Sequence, residues 1–137
     1  MNLKKAYHYL YYRLYRYYNS GFFVFWTERK AYISICILDA IFVIFMYNYY
    51  TIFINRYIIN QDTSLIGYLI TALVCVLNYM IFQSRDQWKT IIKEFDNLSR
   101  KKRIIYDIAV YIFIAFVFAN LIFSFYLMSQ IDWSLYR

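Results

Sequence analysis

The sequence contains no proline, two glycines, two cysteines and a single histidine, and only 17% of its residues are charged. Each shortage closes off a class of function. Without glycine-rich stretches there is no loop through which backbone N–H groups could cradle a phosphate, so the nucleotide-binding motifs are missing. Two cysteines and one histidine fall short of the ligand set of a metal centre and of a disulfide framework. No nucleophile elbow occurs, so neither an enzymatic activity nor a cofactor is expected. The low charge is the most restrictive shortage. Soluble domains carry about 25% charged and about 45–50% apolar residues, whereas this 137-residue chain is 63% hydrophobic and 25% aromatic. Too few polar side chains remain to cover a small globule, and an all-α integral membrane protein is expected instead.

Phe, Tyr, Met, Ile, Asn and Lys fill 71 of the 137 positions, the bias of an AT-rich genome, and this accounts for the tyrosine excess. Three stretches reach the roughly 20 apolar residues that a helix needs to cross a bilayer core: residues 31–54, 65–83 and 104–128. The first carries Asp39, at a cost of about 2.5–3.5 kcal/mol on insertion scales. Its twelve Leu, Ile, Val and Phe residues outweigh that cost. Asp107 stands four residues inside Arg103, within reach of water or a basic partner.

Thirteen of the 15 basic residues fall before the first stretch or between the second and third. Short loops rich in Lys and Arg stay on the cytoplasmic side. The N-terminus is therefore expected inside and the C-terminus outside. The outer loop keeps only Arg56 and the tail only Arg137. An outer aromatic belt of Tyr47, Tyr49, Tyr50, Tyr57, Tyr126, Trp133 and Tyr136 and an inner one of Trp26, Tyr32 and Trp88 follow. Arg13 and Arg16 interrupt any signal-peptide core, so the first span is expected to be a retained anchor.

On the cytoplasmic side, residues 2–18 place Leu3, Ala6, Tyr7, Leu10, Leu14, Tyr17 and Tyr18 on one helical face. Lys4, Lys5, His8, Tyr12, Arg13 and Arg16 occupy the other. This is the pattern of an in-plane interfacial helix, halted by Asn19, Ser20 and Gly21. Residues 85–98 form a second amphipathic segment with Trp88, Ile91, Ile92, Phe95 and Leu98 at helical intervals. It either extends the second span or lies beside the first amphipathic helix. Lys4, Lys5, Arg13, Arg16 and the run Arg100, Lys101, Lys102 and Arg103 are expected to meet anionic headgroups. Because these cations already coincide with the cytoplasmic ends of the spans, the net charge of +7 does not call for a nucleic-acid partner.

Ionisable and polar groups inside the spans are the candidate functional residues. Asp39 lies roughly 13 Å along the helix from Lys30, at a depth similar to that of Asn78, from whose amide it can accept. With Asp107 they make a candidate inner polar layer. Asn48, Thr71 and Asn120 make an outer one. Gly67, Thr71 and Cys75 fall on one face of the second span at small-residue spacing, suited to close helix packing.

The segments 11–16 (Tyr-Tyr-Arg-Leu-Tyr-Arg) and 95–114, where a basic turn runs into an Ile, Tyr and Phe rich last span, resemble short uncharacterised multi-spanning inner-membrane proteins of AT-rich bacteria. The resemblance covers about a third of the chain. It implies a bacterial inner-membrane setting and no particular activity. Two functional expectations remain. One is an accessory, anchoring or immunity-type subunit, paired with itself or with another membrane protein through helix association. The other is a self-assembling pore or membrane-disrupting effector with Asp39 at its interface.

Overall fold

The computed structural model describes residues 2–60 and 64–136, which are almost entirely helical and contain no strand. Helix α1 (Leu3–Asn19) opens at Asn2, whose Oδ1 accepts from the Lys4 amide at 3.2 Å. That bond satisfies one of the amides that have no partner in a first turn. The helix stops where the sequence predicts, with the Ser20 and Gly21 amides turning back onto the Arg16 and Tyr18 carbonyls.

Helix α2 (Thr27–Phe53) covers the first expected span but starts four residues earlier, because polar groups order its entry. Thr27 Oγ1 donates to the Val24 carbonyl at 2.7 Å and Lys30 Nζ to the Phe23 carbonyl at 2.8 Å. Helix α3 (Ser64–Asn78) widens into one π turn over Tyr79–Gln83. Helix α4 (Gln87–Asp96) and helix α5 (Arg100–Ser129) follow, α5 also starting four residues before the expected apolar stretch. Hydropathy marks only the apolar part of a helix, so charged first turns escape it.

Three helices are long and apolar enough to cross a membrane, and their most apolar stretches are only 28, 11 and 17% buried within the chain. α2 is the spine. It packs against α1, α3 and α5, while α3 and α5 flank it with little contact between them. The break between α3 and α4 is local and sharp. Arg85 (φ 55°) and Asp86 (φ 54°) are both left-handed, a conformation that costs about 1–2 kcal/mol per non-glycine residue. The chain turns there, so α4 does not extend the second span. It lies against α1 with Ile91 and Phe95 buried. At the other end of the bundle, Arg56 Nη1 donates to the Tyr136 hydroxyl at 2.7 Å and Tyr57 meets the Tyr136 ring edge-on at 5.4 Å. Arg137 lies outside the described residues, as do residues 61–63 of the loop expected outside.

Candidate functional site

One end of the bundle is organised by α1. Tyr9, Leu10, Tyr11 and Tyr12 are consecutive and all buried. At 100° per residue four consecutive positions sweep most of the helix circumference, so this turn is enclosed on all sides. The division of this helix into two faces is corrected at Tyr12. Tyr12, expected on the face with Lys4, Lys5 and Arg13, is 2% exposed, whereas Leu3 and Tyr17 of the opposite face are 86 and 71% exposed. The reason is the two-sided chemistry of tyrosine, whose ring fills apolar space while its hydroxyl needs a polar partner. Tyr11 stacks on Phe82 at 4.4 Å and 9°, and Tyr9 meets Phe95 and Tyr106 edge-on, both at 5.1 Å.

Each of the buried hydroxyls then finds an acceptor on another helix. Tyr7 donates to Asp39 Oδ2 at 2.7 Å and is 2.6 Å from Asn78 Oδ1, while Asn78 Nδ2 donates to Asp39 Oδ2 at 2.6 Å. α1, α2 and α3 therefore meet at one carboxylate. Tyr9 donates to Asp107 Oδ1 at 2.7 Å. Arg13 Nε lies 3.2 Å from that same oxygen, and Arg13 Nη2 donates to the Tyr111 hydroxyl at 2.9 Å. Tyr12 donates to Asp96 Oδ1 at 2.9 Å and Tyr11 to the Glu28 carbonyl at 3.1 Å. Burial foremost, then the neighbouring carboxylate, pushes the phenol ionisations of Tyr7, Tyr9 and Tyr12 upward; for Tyr11, burial is followed by the charge of Glu28. They stay neutral donors across the physiological range. His8, expected on a solvated face, is half-buried edge-on to Phe82 at 5.9 Å, and burial followed by Lys4 lowers its protonation.

Asp39 and Asn78 are thus brought together, but Asp107 belongs to a separate cluster on α5. The outer residues divide similarly. Asn48 Nδ2 donates to Ser124 Oγ at 3.1 Å, and the Tyr49 hydroxyl donates to Asn120 Oδ1 at 3.1 Å, joining α2 to α5. Thr71 is not part of this layer, since its hydroxyl donates to the Gly67 carbonyl of its own helix at 2.9 Å. Gly67 has no atom within 4 Å of the space a Cβ would fill, so within this chain it is not a packing surface. Cys75 is half-buried, and its carbonyl accepts from the Tyr32 hydroxyl at 2.8 Å. Lys4, Lys5, Arg16, Arg100, Lys101 and Lys102 are exposed. Arg13, expected among the headgroup ligands, pairs with Asp107. Arg103 is half-buried and donates to the Asp96 carbonyl at 3.1 Å.

Sequence reasoning missed the roles of Tyr7, Tyr9, Tyr12 and Ser124. For the tyrosines the signal was a demand for donors: Asp39, Asp107 and Asp96 each require one, and Tyr7, Tyr9 and Tyr12 supply it. Among the described residues no group of three His, Cys, Asp or Glu side chains could hold a metal. The arrangement can neutralise carboxylates and join helices. No family model matches this chain, nor does any curated protein or solved structure.

Proposed function

We propose that the chain is a multi-pass bacterial inner-membrane protein, N-terminus inside and C-terminus outside. In this reading it acts without enzymatic chemistry as an accessory, anchoring or immunity-type subunit through helix association. The membrane setting is supported by the outward-facing apolar residues of α2, α3 and α5, for which lipid is the compatible surrounding. One observation carries the choice between subunit and pore. Asp39 and Asp107, the carboxylates within the apolar stretches, receive hydrogen bonds from Tyr7, Asn78 and Tyr9 of the same chain, and Asp107 forms an ion pair with Arg13. A pore-lining carboxylate would instead be left for water or an ion to reach. Polar groups used in this way fasten helices, at about 0.6 kcal/mol for an average interhelical bond. The outer face of α3, carrying Leu65, Leu69, Leu73 and Val76, remains for a membrane partner.

The test is the membrane potential of cells, read with a voltage-sensitive dye, on induced expression of the wild type and of Asp39→Asn. The subunit reading expects the same potential in both at confirmed membrane expression. It also expects a photo-crosslinker at Leu69 or Leu73 to give one discrete adduct. Collapse with the wild type and recovery with Asp39→Asn would overturn it in favour of an assembled pore. A periplasmic reporter fused to the C-terminus should be active, and an inactive one would overturn the orientation.

A further inference from the structure

Where α1 crosses α5, it leaves a groove on each side. The first, of about 610 Å³, is walled almost wholly by apolar groups, among them Leu3, Leu10, Ile81 and Phe113. The second, of about 640 Å³, is chemically two-sided. Leu14, Val110 and Ile114 give it an apolar wall, Arg13 and Arg16 line it with guanidinium groups, and no acidic side chain lines it. Arg13 is committed to Asp107 and Tyr111. Arg16 is exposed and has no carboxylate within salt-bridge distance among the described residues. The groove thus presents one uncompensated cation beside an apolar slot.

We propose that this second groove binds one anionic phospholipid, its phosphate against Arg16 and an acyl chain along Leu14, Val110 and Ile114. The depth fits this occupant. Val110 and Ile114 lie roughly 10–17 Å along α5 from Arg103 at 1.5 Å per residue, below the level of the basic turn, where acyl chains begin. An arginine beside that slot can lay its stem on apolar surface and keep its guanidinium at the headgroups. The first groove has Lys4 in place of an arginine, and almost no polar surface lines it. The inference rests on the membrane setting proposed above and is independent of whether the chain is a subunit or a pore.

The test uses the full chain purified in detergent, titrated with dioleoylphosphatidylglycerol or dioleoylphosphatidylcholine, with bound lipid counted by native mass spectrometry. One phosphatidylglycerol should be retained in preference to phosphatidylcholine. Arg16→Gln should lower its occupancy about fivefold, the effect of one basic side chain near an anionic surface. Ile114→Trp, which fills the slot and keeps every charge, should lower it as well, while the double change Lys101→Gln and Lys102→Gln should leave it unaltered. Circular dichroism verifies the fold, and should Ile114→Trp misfold, the exposed Arg16→Gln decides. Wild-type retention by Arg16→Gln would overturn the proposal. So would an equal loss in the Lys101 and Lys102 variant, which would mean diffuse surface attraction, or displacement of the lipid by inorganic phosphate, which would mean a free-anion site.

Discussion

Replacing Arg13 by glutamine isolates what the ion pair between α1 and α5 contributes. Arg13 Nε and Asp107 Oδ1 are 3.2 Å apart, with their side chains 36 and 21% exposed. Removing one partner from a fully buried pair costs about 3–5 kcal/mol, whereas an exposed pair is worth about 0–1 kcal/mol. The intermediate burial places the cost of Arg13→Gln at about 1–2 kcal/mol of α1 docking, a roughly five- to thirtyfold rise in undocked α1. Asp107→Asn keeps the shape and can still accept from Tyr9, and Arg13 can then extend to the surface, so its cost should stay below about 1 kcal/mol. Once Asp107 is neutral, the added loss of Arg13 should matter little, and the double variant should be no worse than Arg13→Gln alone. Hydrogen exchange of the α1 amides in detergent micelles is the assay, with the mid-α5 amides as an internal reference. Unchanged α1 exchange in Arg13→Gln, or penalties that simply add in the double variant, would refute this account of the interface.

Tyr9→Phe removes only the hydroxyl that meets Asp107 at 2.7 Å; it should cost about 1–1.5 kcal/mol in a thermal melt. Tyr9→Ala, which also empties the space beside Phe95 and Tyr106, should cost about 3–5 kcal/mol, and equal effects would show that the hydroxyl, not the ring, carries the site. Tyr7, Tyr9, Tyr11 and Tyr12 have phenol ionisations raised above those of the unfolded chain. Their contribution is therefore complete below the unfolded value of about 10 and is lost as pH rises through the folded values. Phenolate absorbance should show a group of tyrosines that ionise late, alongside loss of helical dichroism; a single step at the position of free tyrosine with helicity intact would be incompatible. Asn48→Ala should destabilise the α2–α5 pairing by about 0.6–1.7 kcal/mol, from the average to the maximum for interhelical bonds in a membrane protein. A null result in a thermal melt would mean that Ser124, which also donates to the Leu121 carbonyl at 2.8 Å, needs no second partner.

The helices that could cross a membrane were legible in the sequence because long apolar runs are a one-dimensional signal. The turn between α4 and α5 falls at Asn97, Leu98 and Ser99, between the amphipathic segment and the basic run that the sequence marks. The pairing of Asp39 with Asn78 followed from matching depth in antiparallel helices. The surroundings of α1 were not legible, because a helical wheel sorts residues by polarity and tyrosine belongs to both halves. Only the positions of Asp39, Asp96 and Asp107 in space show why Tyr7, Tyr9 and Tyr12 point inward. Gly67 and Thr71 make the same point in reverse. Their spacing fits a helix-packing stripe, yet periodicity says nothing about which neighbour stands opposite, and here Thr71 turns to its own helix. The break at Arg85 and Asp86 carries no glycine, so the sequence left open whether the second amphipathic segment extends the second span or turns away.

The hydrogen bonds of α1 also set an order of assembly during synthesis. Tyr9 and Asp107 are 98 residues apart, so at about 5–20 residues per second the ribosome needs roughly 5–20 s to deliver the second after the first. Asp39 emerges early and Asp107 late, which leaves the N-terminal helix half-furnished with partners for most of translation. In the membrane setting proposed above, Arg13 would rest on the lipid surface over that interval, and the in-plane state that the sequence suggests would be the waiting form of a segment enclosed last. Nascent chains stalled before residue 107 should keep α1 open to protease and released chains should protect it; equal protection in both would rule out this order.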